Sequence, residues 1–480
     1  MNLENRILTP TLTVLSNEDK SKILSAALHV IEEMGQQVTH PGTLDLLREN
    51  GFESDGEGVV RIPATVIRQA IRSVPKSVRI YDREGNLAMD LGGRRSYFGN
   101  GSDLIFAQDP GTRDRHQCTL EDAVKAAKVA DALPNIDFIM SFAHPHDIDP
   151  KRAYLVSFQT MVENSVKPIV NIADNLADLT RIWEISKVIR GGEAELREKP
   201  YWVHYDEPNS PMKHPANALE KLIFCAEKEM PVIYSPAPIA GSTAPITIAG
   251  HIVQGLSESL FGLAIHQLVK PGAPFLLGMG PAVLDMANGQ CSYNAPEYLM
   301  AYMGIVEMAK FLDIPNWGYA GTSDAQLPDG QATYEAGLET FIASTLGSNL
   351  NHDVGYIDFG LTGSLEMMVI VNEIIDQVRR IQRGIPVNDE ELALDAISDV
   401  RHRDNYLGHP HTLKHFRNTQ WRPRLMTRPS NQQWIKEGSR TLLEKTTIKL
   451  QEILENHQPK PLAAEKRRAI ETIVDQFQPV

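Results

Sequence analysis

The fold is decided by residues 316–364, which read NWGYAGTSDAQLPDGQATYEAGLETFIASTLGSNLNHDVGYIDFGLTGS. Asn316 to Gly321 is an apolar run with the length of a strand, too short for a helix. After a polar loop, Gln331 to Leu346 carries apolar residues at helical spacing. Asp353 to Phe359 has the pattern of the next strand, and Gly360 to Ser364 opens another helix. The stretch therefore predicts two βα units in tandem.

Apolar runs of strand length recur outside this stretch, and most of the intervals between them hold a helical pattern. The runs begin near Tyr97, Ile136, Ile169, Tyr201, Val232, Phe275, Asn316 and Val354. Eight strands that alternate with helices are what a closed (β/α)8 barrel, or TIM barrel, requires. A doubly wound open sheet is the competing architecture, but it does not demand eight units. The prediction is an α/β fold with a TIM barrel as the catalytic domain over residues 96–385.

The two segments outside the barrel are predicted to be mainly helical. Residues 1–95 show three helical patterns, followed by two short strands between Ser77 and Leu91. This section is too small for a deep core of its own, so we expect it to pack against the barrel as a cap. Residues 386–480 are polar, charged and helical. We expect them to form an extension outside the barrel, either a contact in a homo-oligomer or a lid.

Composition and charge narrow the classes of function. The 480 residues are 42% hydrophobic and 22% charged, as in an ordinary globular protein. The net charge of −14 argues against a nucleic-acid partner, since phosphate binding needs clustered Lys and Arg. Uninterrupted apolar runs fall short of the ~20 residues of a membrane span. Met1 to Asn5 lack the basic start and apolar core of a signal peptide.

The cysteines indicate the redox compartment. Cys118, Cys225 and Cys291 lie far apart, and they form no CxxC pair. An odd number of scattered cysteines predicts reduced thiols in a cytoplasmic protein and excludes a thiolate-rich zinc site.

The residues at the predicted strand ends indicate the kind of ligand. In a TIM barrel the functional groups lie at the carboxyl ends of the strands, and here those ends are rich in Tyr and Phe and poor in Lys and Arg. Such a mouth suits a quaternary ammonium group, through cation–π attraction of ~0.5–2 kcal/mol per ring. Packing between strand and helix is the alternative for each ring. The turn Gly360 to Ser364 offers backbone N–H groups to an anion, or is a simple helix start. Rings and an anion nest together would suit a betaine.

A metal site is the competing interpretation of the same strand ends. His144, His146, His204 and Asp358 follow predicted strands and are residue types that bind catalytic zinc. The fifth and sixth strand ends supply no histidine or carboxylate to complete the set. We therefore predict no metal site, and keep a metal-dependent amidohydrolase-like barrel as an alternative.

Three loops and the C-terminal segment resemble one known family. The stretches are Gly321-Thr-Ser-Asp-Ala-Gln-Leu-Pro-Asp-Gly-Gln-Ala-Thr-Tyr-Glu335, the turn Gly360 to Ser364, His409-Pro-His-Thr-Leu-Lys-His-Phe-Arg417 and Asn209-Ser-Pro211. In them, and over nearly its whole length, the chain is similar to the trimethylamine methyltransferase family. The resemblance implies a barrel enzyme that passes a methyl group from an amine to the Co(I) of a separate corrinoid protein. It implies no cofactor bound by this chain itself.

The resemblance also implies a branch of the family. Its trimethylamine members carry pyrrolysine in the loop equivalent to about Gln326 to Gln331, where this chain has only standard residues. That matches the non-pyrrolysine branch, whose known members demethylate glycine betaine and related quaternary amines. A non-catalytic betaine-binding barrel is a further alternative.

Carried onto this sequence, the resemblance implies substrate-binding residues and no catalytic side chain, because the nucleophile comes from the partner. A cage of rings for the quaternary nitrogen would consist of Tyr97, Phe98, Tyr205, Tyr356 and Phe359. The carboxylate would meet His352 and the backbone of Phe359, Gly360 and Leu361. Gln326 and Gln331 would line the loop left vacant by pyrrolysine, and Glu207 would complement the cation.

Overall fold

A computed structural model describes residues 8–402 and 405–477, so Met1 to Asn5 and the signal-peptide prediction lie outside the described residues. Within those ranges the helices are α1 (Asn17–His29), α2 (Pro41–Glu49), α3 (Ala64–Ser73), α4 (Leu120–Ala132), α5 (Ala153–Asn164), α6 (Leu176–Arg190), α7 (Glu193–Glu198), α8 (Ala216–Lys228), α9 (Ile248–Val269), α10 (Pro296–Phe311), α11 (Gly330–Leu346), α12 (Leu365–Gln382), α13 (Asp389–Leu392), α14 (Leu394–Val400), α15 (Pro410–Thr419), α16 (Asn431–Lys436), α17 (Leu442–Asn456) and α18 (Ala464–Asp475). The strands are β1 (Gln36–Val38), β2 (Val59–Val60), β3 (Val78–Tyr81), β4 (Leu87–Leu91), β5 (Tyr97–Phe98), β6 (Phe106–Gln108), β7 (Arg115–Gln117), β8 (Ile169–Asn171), β9 (Trp202–Asp206), β10 (Lys213–His214), β11 (Val232–Tyr234), β12 (Phe275–Leu277), β13 (Val283–Leu284), β14 (Cys291–Ser292), β15 (Trp317–Tyr319), β16 (Leu350–His352), β17 (Tyr356–Ile357) and β18 (Thr362–Gly363).

A closed barrel of parallel strands organises the chain. Its order is β5, a short segment at Phe138 and Ile139, then β8, β9, β11, β12, β15 and β16. Single bridges join the second position to its neighbours, and another joins β12 to β15. The pairing of β16 with β5, with Leu350 opposite Tyr97, closes the ring. The predicted TIM barrel is confirmed.

The inside of the barrel is filled by apolar side chains and is closed at one end by a hairpin. Phe138, Val203, Ile233 and Leu276 belong to one buried cluster with the hairpin β3–β4. This hairpin is the predicted pair of short strands before Leu91. It packs at the amino ends of the strands, so the carboxyl ends form the open face, called the barrel mouth below.

The eighth strand lies earlier than the sequence analysis predicts. Residues 353–359 do not continue the barrel, because the chain leaves it at Asp353, whose φ is 78°. The barrel strand is instead β16, in which the side chain of Asn351 is buried and donates to the carbonyl oxygen of Tyr97 at 3.0 Å. Residues 356–357 pair antiparallel with 362–363 in a small sheet at the mouth. The strand was not predicted because Asn351 is polar, although its side chain is buried and hydrogen-bonded within the barrel.

One helix of the described residues, α9, is long and apolar enough to cross a membrane by length and composition alone. The sequence analysis found no uninterrupted apolar run of that length, because polar residues interrupt the apolar ones along this helix. In the structure 72% of that stretch is buried, and α1, α3, α8 and α10 pack against it. Burial among other helices accounts for its composition.

Candidate binding site at the barrel mouth

Aromatic rings from β9, β15 and β16 meet below the barrel mouth. The imidazole of His352 stacks on the indole of Trp317, with ring centroids 4.1 Å apart and an angle of 19°. Tyr319 lies 4.7 Å from His352, and Tyr205 lies 5.6 Å from Trp317 and 6.4 Å from His352. Since three rigid strands hold these rings, they form a fixed aromatic floor.

Carboxylates stand beside this floor. The Tyr205 hydroxyl donates to Oε2 of Glu207 at 2.8 Å. Glu207 keeps contact with solvent, yet desolvation in the mouth raises its pKa. Asp353 is 2% exposed, and its Oδ1 lies 2.5 Å from Nδ1 of His352. Neither ring nitrogen of His352 has a hydrogen-bond partner among the described residues.

A polar cavity of about 260 Å³ continues from Tyr205 and Glu207 toward the ends of β8 and β9. Asp103, Asp174 and Tyr154 line it. Its base holds a buried ion pair, in which Lys221 Nζ lies 3.2 Å from Oδ1 of Asp206. Burial raises the pKa of Asp206 to about 7, although Lys221 opposes the shift. The mouth therefore has an excess of carboxyl groups. Lys221 does not offset this excess, because it is already paired with Asp206.

A tyrosine from the β13–β14 hairpin reaches the same region. The backbone N–H of Tyr293 donates to Asp324 at 2.9 Å. Its ring atoms lie 3.4 Å from where a Cβ on Gly360 would sit. Burial, and then the charges of Asp353 and other nearby acids that include Glu207, raise the pKa of Tyr293. Tyr293 thus connects the loop after the sixth barrel strand, β12, with the turn at Gly360 that follows the eighth barrel strand, β16.

Tyr356 is fixed next to the floor by a backbone contact. It is buried, and its hydroxyl donates to the carbonyl oxygen of Ser102. A Cβ on Gly101 would overlap both the Tyr356 hydroxyl and the Asp353 carboxylate. Burial, followed by Asp353, raises the pKa of Tyr356. Of the predicted cage, Tyr205 and Tyr356 are therefore brought to the mouth.

The loop that follows β15 carries the two predicted glutamines. Gln326 Nε2 donates to Oδ1 of Asp358 at 2.7 Å, and Arg115 forms a short ion pair with the same carboxylate. Gln326 thereby lies at the rim of the mouth. Gln331 is exposed at the start of α11, where its Nε2 donates to Glu335 at 2.9 Å. It bonds within its own helix and not to the aromatic floor.

Two predicted cage residues lie away from the mouth. The Tyr97 hydroxyl accepts a hydrogen bond of 3.1 Å from the backbone N–H of Asp90, in the hairpin that closes the opposite end of the barrel. Phe98 is fully buried among the outer helices, where the Arg379 guanidinium lies 5.7 Å from its ring centre. Both residues form the first strand itself, and the sequence analysis took them for its end.

The predicted anion nest is not open. Gly360 donates its N–H to the carbonyl oxygen of Ile357 at 3.2 Å, and Leu361 donates to that of Asp358 at 3.0 Å. Phe359 is half-buried, and it lies in a tight left-handed turn at φ 55°. Leu361 is 39% exposed. The turn uses these amides to close a hairpin, which leaves fewer N–H groups for an anion than predicted.

The residues of the alternative metal site are not brought together. His146 Nδ1 bonds to the carbonyl oxygen of Cys118 at 2.8 Å, and Asp358 pairs with Arg115. His204 is fully buried beside Asn171. Among the described residues, no three His, Cys, Asp or Glu side chains are grouped as metal ligands would be.

Several residues of this site were missed at the level of sequence: Trp317, Tyr293, Asp353 and Asp103. Trp317 and Tyr319 are two residues apart on one strand, so their side chains lie on the same face, and this spacing could have indicated a pair of neighbouring rings. Tyr293 was not predictable, because it enters the mouth from a hairpin that follows the sixth strand. Asp353 was missed because it was assigned to the start of a predicted strand, the end away from the mouth.

The fold and this site define a class: a TIM barrel whose mouth presents an aromatic floor and an excess of carboxyl groups. The family model for trimethylamine methyltransferase (MTTB) matches residues 2–478. The chain belongs to the trimethylamine methyltransferase family.

Relatives of two kinds are found. A trimethylamine methyltransferase from Desulfitobacterium hafniense is 28% identical over 97% of this chain and 94% of the relative. A glycine betaine methyltransferase from the same species is 26% identical over 98% of both chains. The crystal structure of the Methanosarcina barkeri monomethylamine methyltransferase superposes with a TM-score of 0.50 at 12% identity, covering 92% of this chain and 88% of that one. The last likeness concerns the fold alone.

Proposed function

We propose that this protein transfers a methyl group from a quaternary amine, glycine betaine or a related betaine, to the Co(I) of a separate corrinoid protein. Membership of the methyltransferase family and the similarity to a glycine betaine methyltransferase support the reaction class. We also propose a cytoplasmic protein that binds no cofactor of its own, since the methyl acceptor belongs to the partner.

One observation carries the choice of a cationic substrate: the aromatic floor of Tyr205, Trp317 and His352 lies next to Glu207 and Asp353. A quaternary nitrogen cannot donate a hydrogen bond, so ring faces and carboxylates are the groups that attract it. A second observation supports the non-pyrrolysine branch. The loop at Gln326 contains only standard residues, and the hydrogen bond from Gln326 to Asp358 holds it in place.

Methyl transfer from a quaternary amine requires no general acid and no nucleophile from this protein's side chains. The methyl group moves from nitrogen to cobalt; the C–N electron pair stays with nitrogen, and Co(I) supplies the pair for the new bond. A neutral tertiary amine leaves, so no proton has to be delivered. Because the positive charge on nitrogen disappears during transfer, very tight binding of the cation would slow the step. The protein's part is to orient the methyl group toward the acceptor and to exclude water.

The decisive experiment mixes the protein with a reduced Co(I) corrinoid and follows methylation of cobalt by its absorbance. A panel of glycine betaine, proline betaine, carnitine, butyrobetaine and trimethylamine is tested. We expect turnover with at least one quaternary amine and none with trimethylamine. Binding of a betaine without cobalt methylation would favour a non-catalytic barrel, and turnover of trimethylamine alone would refute the proposed substrate class.

A further inference from the structure

We infer that residues 385–402 and 405–418, called the arm below, are a contact surface for a second copy of this chain. The arm leaves the barrel after α12 and returns at Thr419, whose carbonyl oxygen accepts a hydrogen bond from Arg380 at 2.8 Å. It contains α13, α14 and most of α15. Its ion pairs run within it, from Lys414 and His415 to Glu390. No residue of α13 or α15, both fully described, is buried.

The arm exposes far more apolar surface than its length accounts for. Of the 23 large apolar side chains exposed in the described part of the chain, eight lie between residues 385 and 413. They are Ile385, Val387, Leu392, Leu394, Ile397, Tyr406, Leu407 and Leu413, with Leu407 83% and Ile385 80% exposed. Scattered apolar residues are normal on a surface, but a concentration of this kind marks an interaction site. At on the order of 100 Å² each, eight such residues approach the ~800 Å² that each partner contributes to a standard interface.

Charge gives the arm a self-complementary character. Arg380, Arg383, Arg417 and Arg422 line a cavity of about 470 Å³ at its base. Farther out, Asp389, Glu391 and Asp395 are exposed. Within the described residues, none of these seven charged groups forms an ion pair. A two-fold pair sets the same patch of both copies against each other, so the acidic part of one arm can face the arginines of the other.

The position of the arm separates a second copy from the methyl acceptor. Barrel helices run opposite to the strands, so α12 ends at the closed end of the barrel, where Arg379 pairs with Asp137 at the start of the second strand. Under the proposed function, the corrinoid protein has to reach the open mouth at the other end. A second copy can cover the arm and leave the mouth free.

The test is the mass of the full-length protein in solution. Size exclusion with light scattering at micromolar concentration should give an even multiple of the chain mass of 53.4 kDa. The double variant Leu394→Asp with Leu407→Asp should shift to half the parent mass, which is the single-chain mass if the parent is a dimer. So should Arg417→Glu with Arg422→Glu, which changes only exposed residues and tests the charge argument separately. Leu87→Asp, at a 55% exposed apolar site on the β3–β4 hairpin, is the matched control and should keep the parent mass.

Circular dichroism establishes that each variant is folded before its mass is interpreted. A parent protein at 53.4 kDa overturns the inference. So does an oligomer that both arm variants leave intact. Inorganic phosphate that raises the Tm of a single-chain species, with loss of the effect in Arg417→Glu, would assign the arginines to a small anion instead. Each of these results is independent of the methyl-transfer assay.

Discussion

The imidazole of His352, at the end of β16, lies 4.1 Å from the indole of Trp317, at the start of the neighbouring strand β15, and the two rings meet at an angle of 19°. Trp317 belongs to the buried interior of the barrel. His352 therefore covers the apolar interior with a ring whose Nδ1 lies beside Asp353. The aromatic floor is therefore continuous with the packed interior of the barrel, because Trp317 belongs to both.

The first prediction concerns the ring of Tyr205. Tyr205→Leu keeps apolar bulk but removes the π face, and should weaken glycine betaine binding by ~0.5–2 kcal/mol, a few-fold to about thirty-fold in Kd. Tyr205→Phe should retain most of the affinity, because it keeps the ring and loses only the hydrogen bond to Glu207. Calorimetric titration measures both. Tyr97→Phe is the control at the closed end and should bind like the parent; equal losses in Tyr205→Leu and Tyr97→Phe would argue against a ring cage at the mouth.

The second prediction concerns the charge of Glu207. Glu207→Gln removes a carboxylate near the cation and should raise Kd by about fivefold at pH 8, on the order of 1 kcal/mol. The pKa of Glu207 is raised, so its charge is lost as pH falls through that pKa. A quaternary ammonium does not titrate. Affinity of the parent should therefore fall as the pH is lowered from 8 through that pKa, and the variant should depend less on pH. A parent and a variant with the same pH dependence would exclude Glu207 as the titrating group.

The third prediction is a pH effect on stability from Asp206. Its folded pKa of about 7 lies above the ordinary value of 3.8. The folded state therefore binds more protons between those values, and this group's contribution to stability falls as pH rises through the window. Asp206→Asn should therefore gain stability relative to the parent between pH 5 and pH 8, by up to ~3 kcal/mol. Urea unfolding at both pH values measures it. A variant that is less stable at pH 8 would mean that the pair with Lys221 outweighs the desolvation of the carboxylate.

The sequence predicted the barrel well because strand and helix periodicities are local. Seven of the eight predicted strand starts fall at or close to barrel positions in the structure. The eighth failed because Asn349 and Asn351 are buried and hydrogen-bonded to backbone groups, including the carbonyl oxygens of Arg95 and Tyr97. Whether an amide will be satisfied inside a barrel depends on the neighbouring strand, which is distant in sequence.

The site was less predictable than the fold, because a residue belongs to the site only if its side chain points into the mouth. Tyr205 and His352 were predicted, and they share the floor. Tyr97 and Phe98 were assigned to the mouth, but a two-residue strand points one side chain to the hairpin and the other to the helices. Tyr293 reaches the mouth from another hairpin, and only the assembled fold brings it there.

The fourth prediction is that chelation leaves methyl transfer intact. A quaternary nitrogen departs as a neutral amine, so no Lewis acid is needed to activate the leaving group. The protein is treated with EDTA, freed of the chelator and then assayed with the Co(I) acceptor. Activity that is lost on chelation and restored by zinc would contradict this account and favour the metal-dependent alternative.

The fifth prediction separates the two ends of the substrate. His352 Nε2 lacks a partner among the described residues, so it is available to donate a hydrogen bond to a carboxylate. His352→Ala should raise Kd for glycine betaine about tenfold or more, the effect of losing a hydrogen bond to a charged group. Choline carries the same cation without a carboxylate, so it should lose only the ring face of His352, and its Kd should change less, by a few-fold. Calorimetric titration with both ligands measures the difference, and His146→Ala, whose imidazole bonds to Cys118, is the matched control. Equal losses for the two ligands would show that His352 acts through its packing on Trp317, since the aromatic floor serves both cations alike.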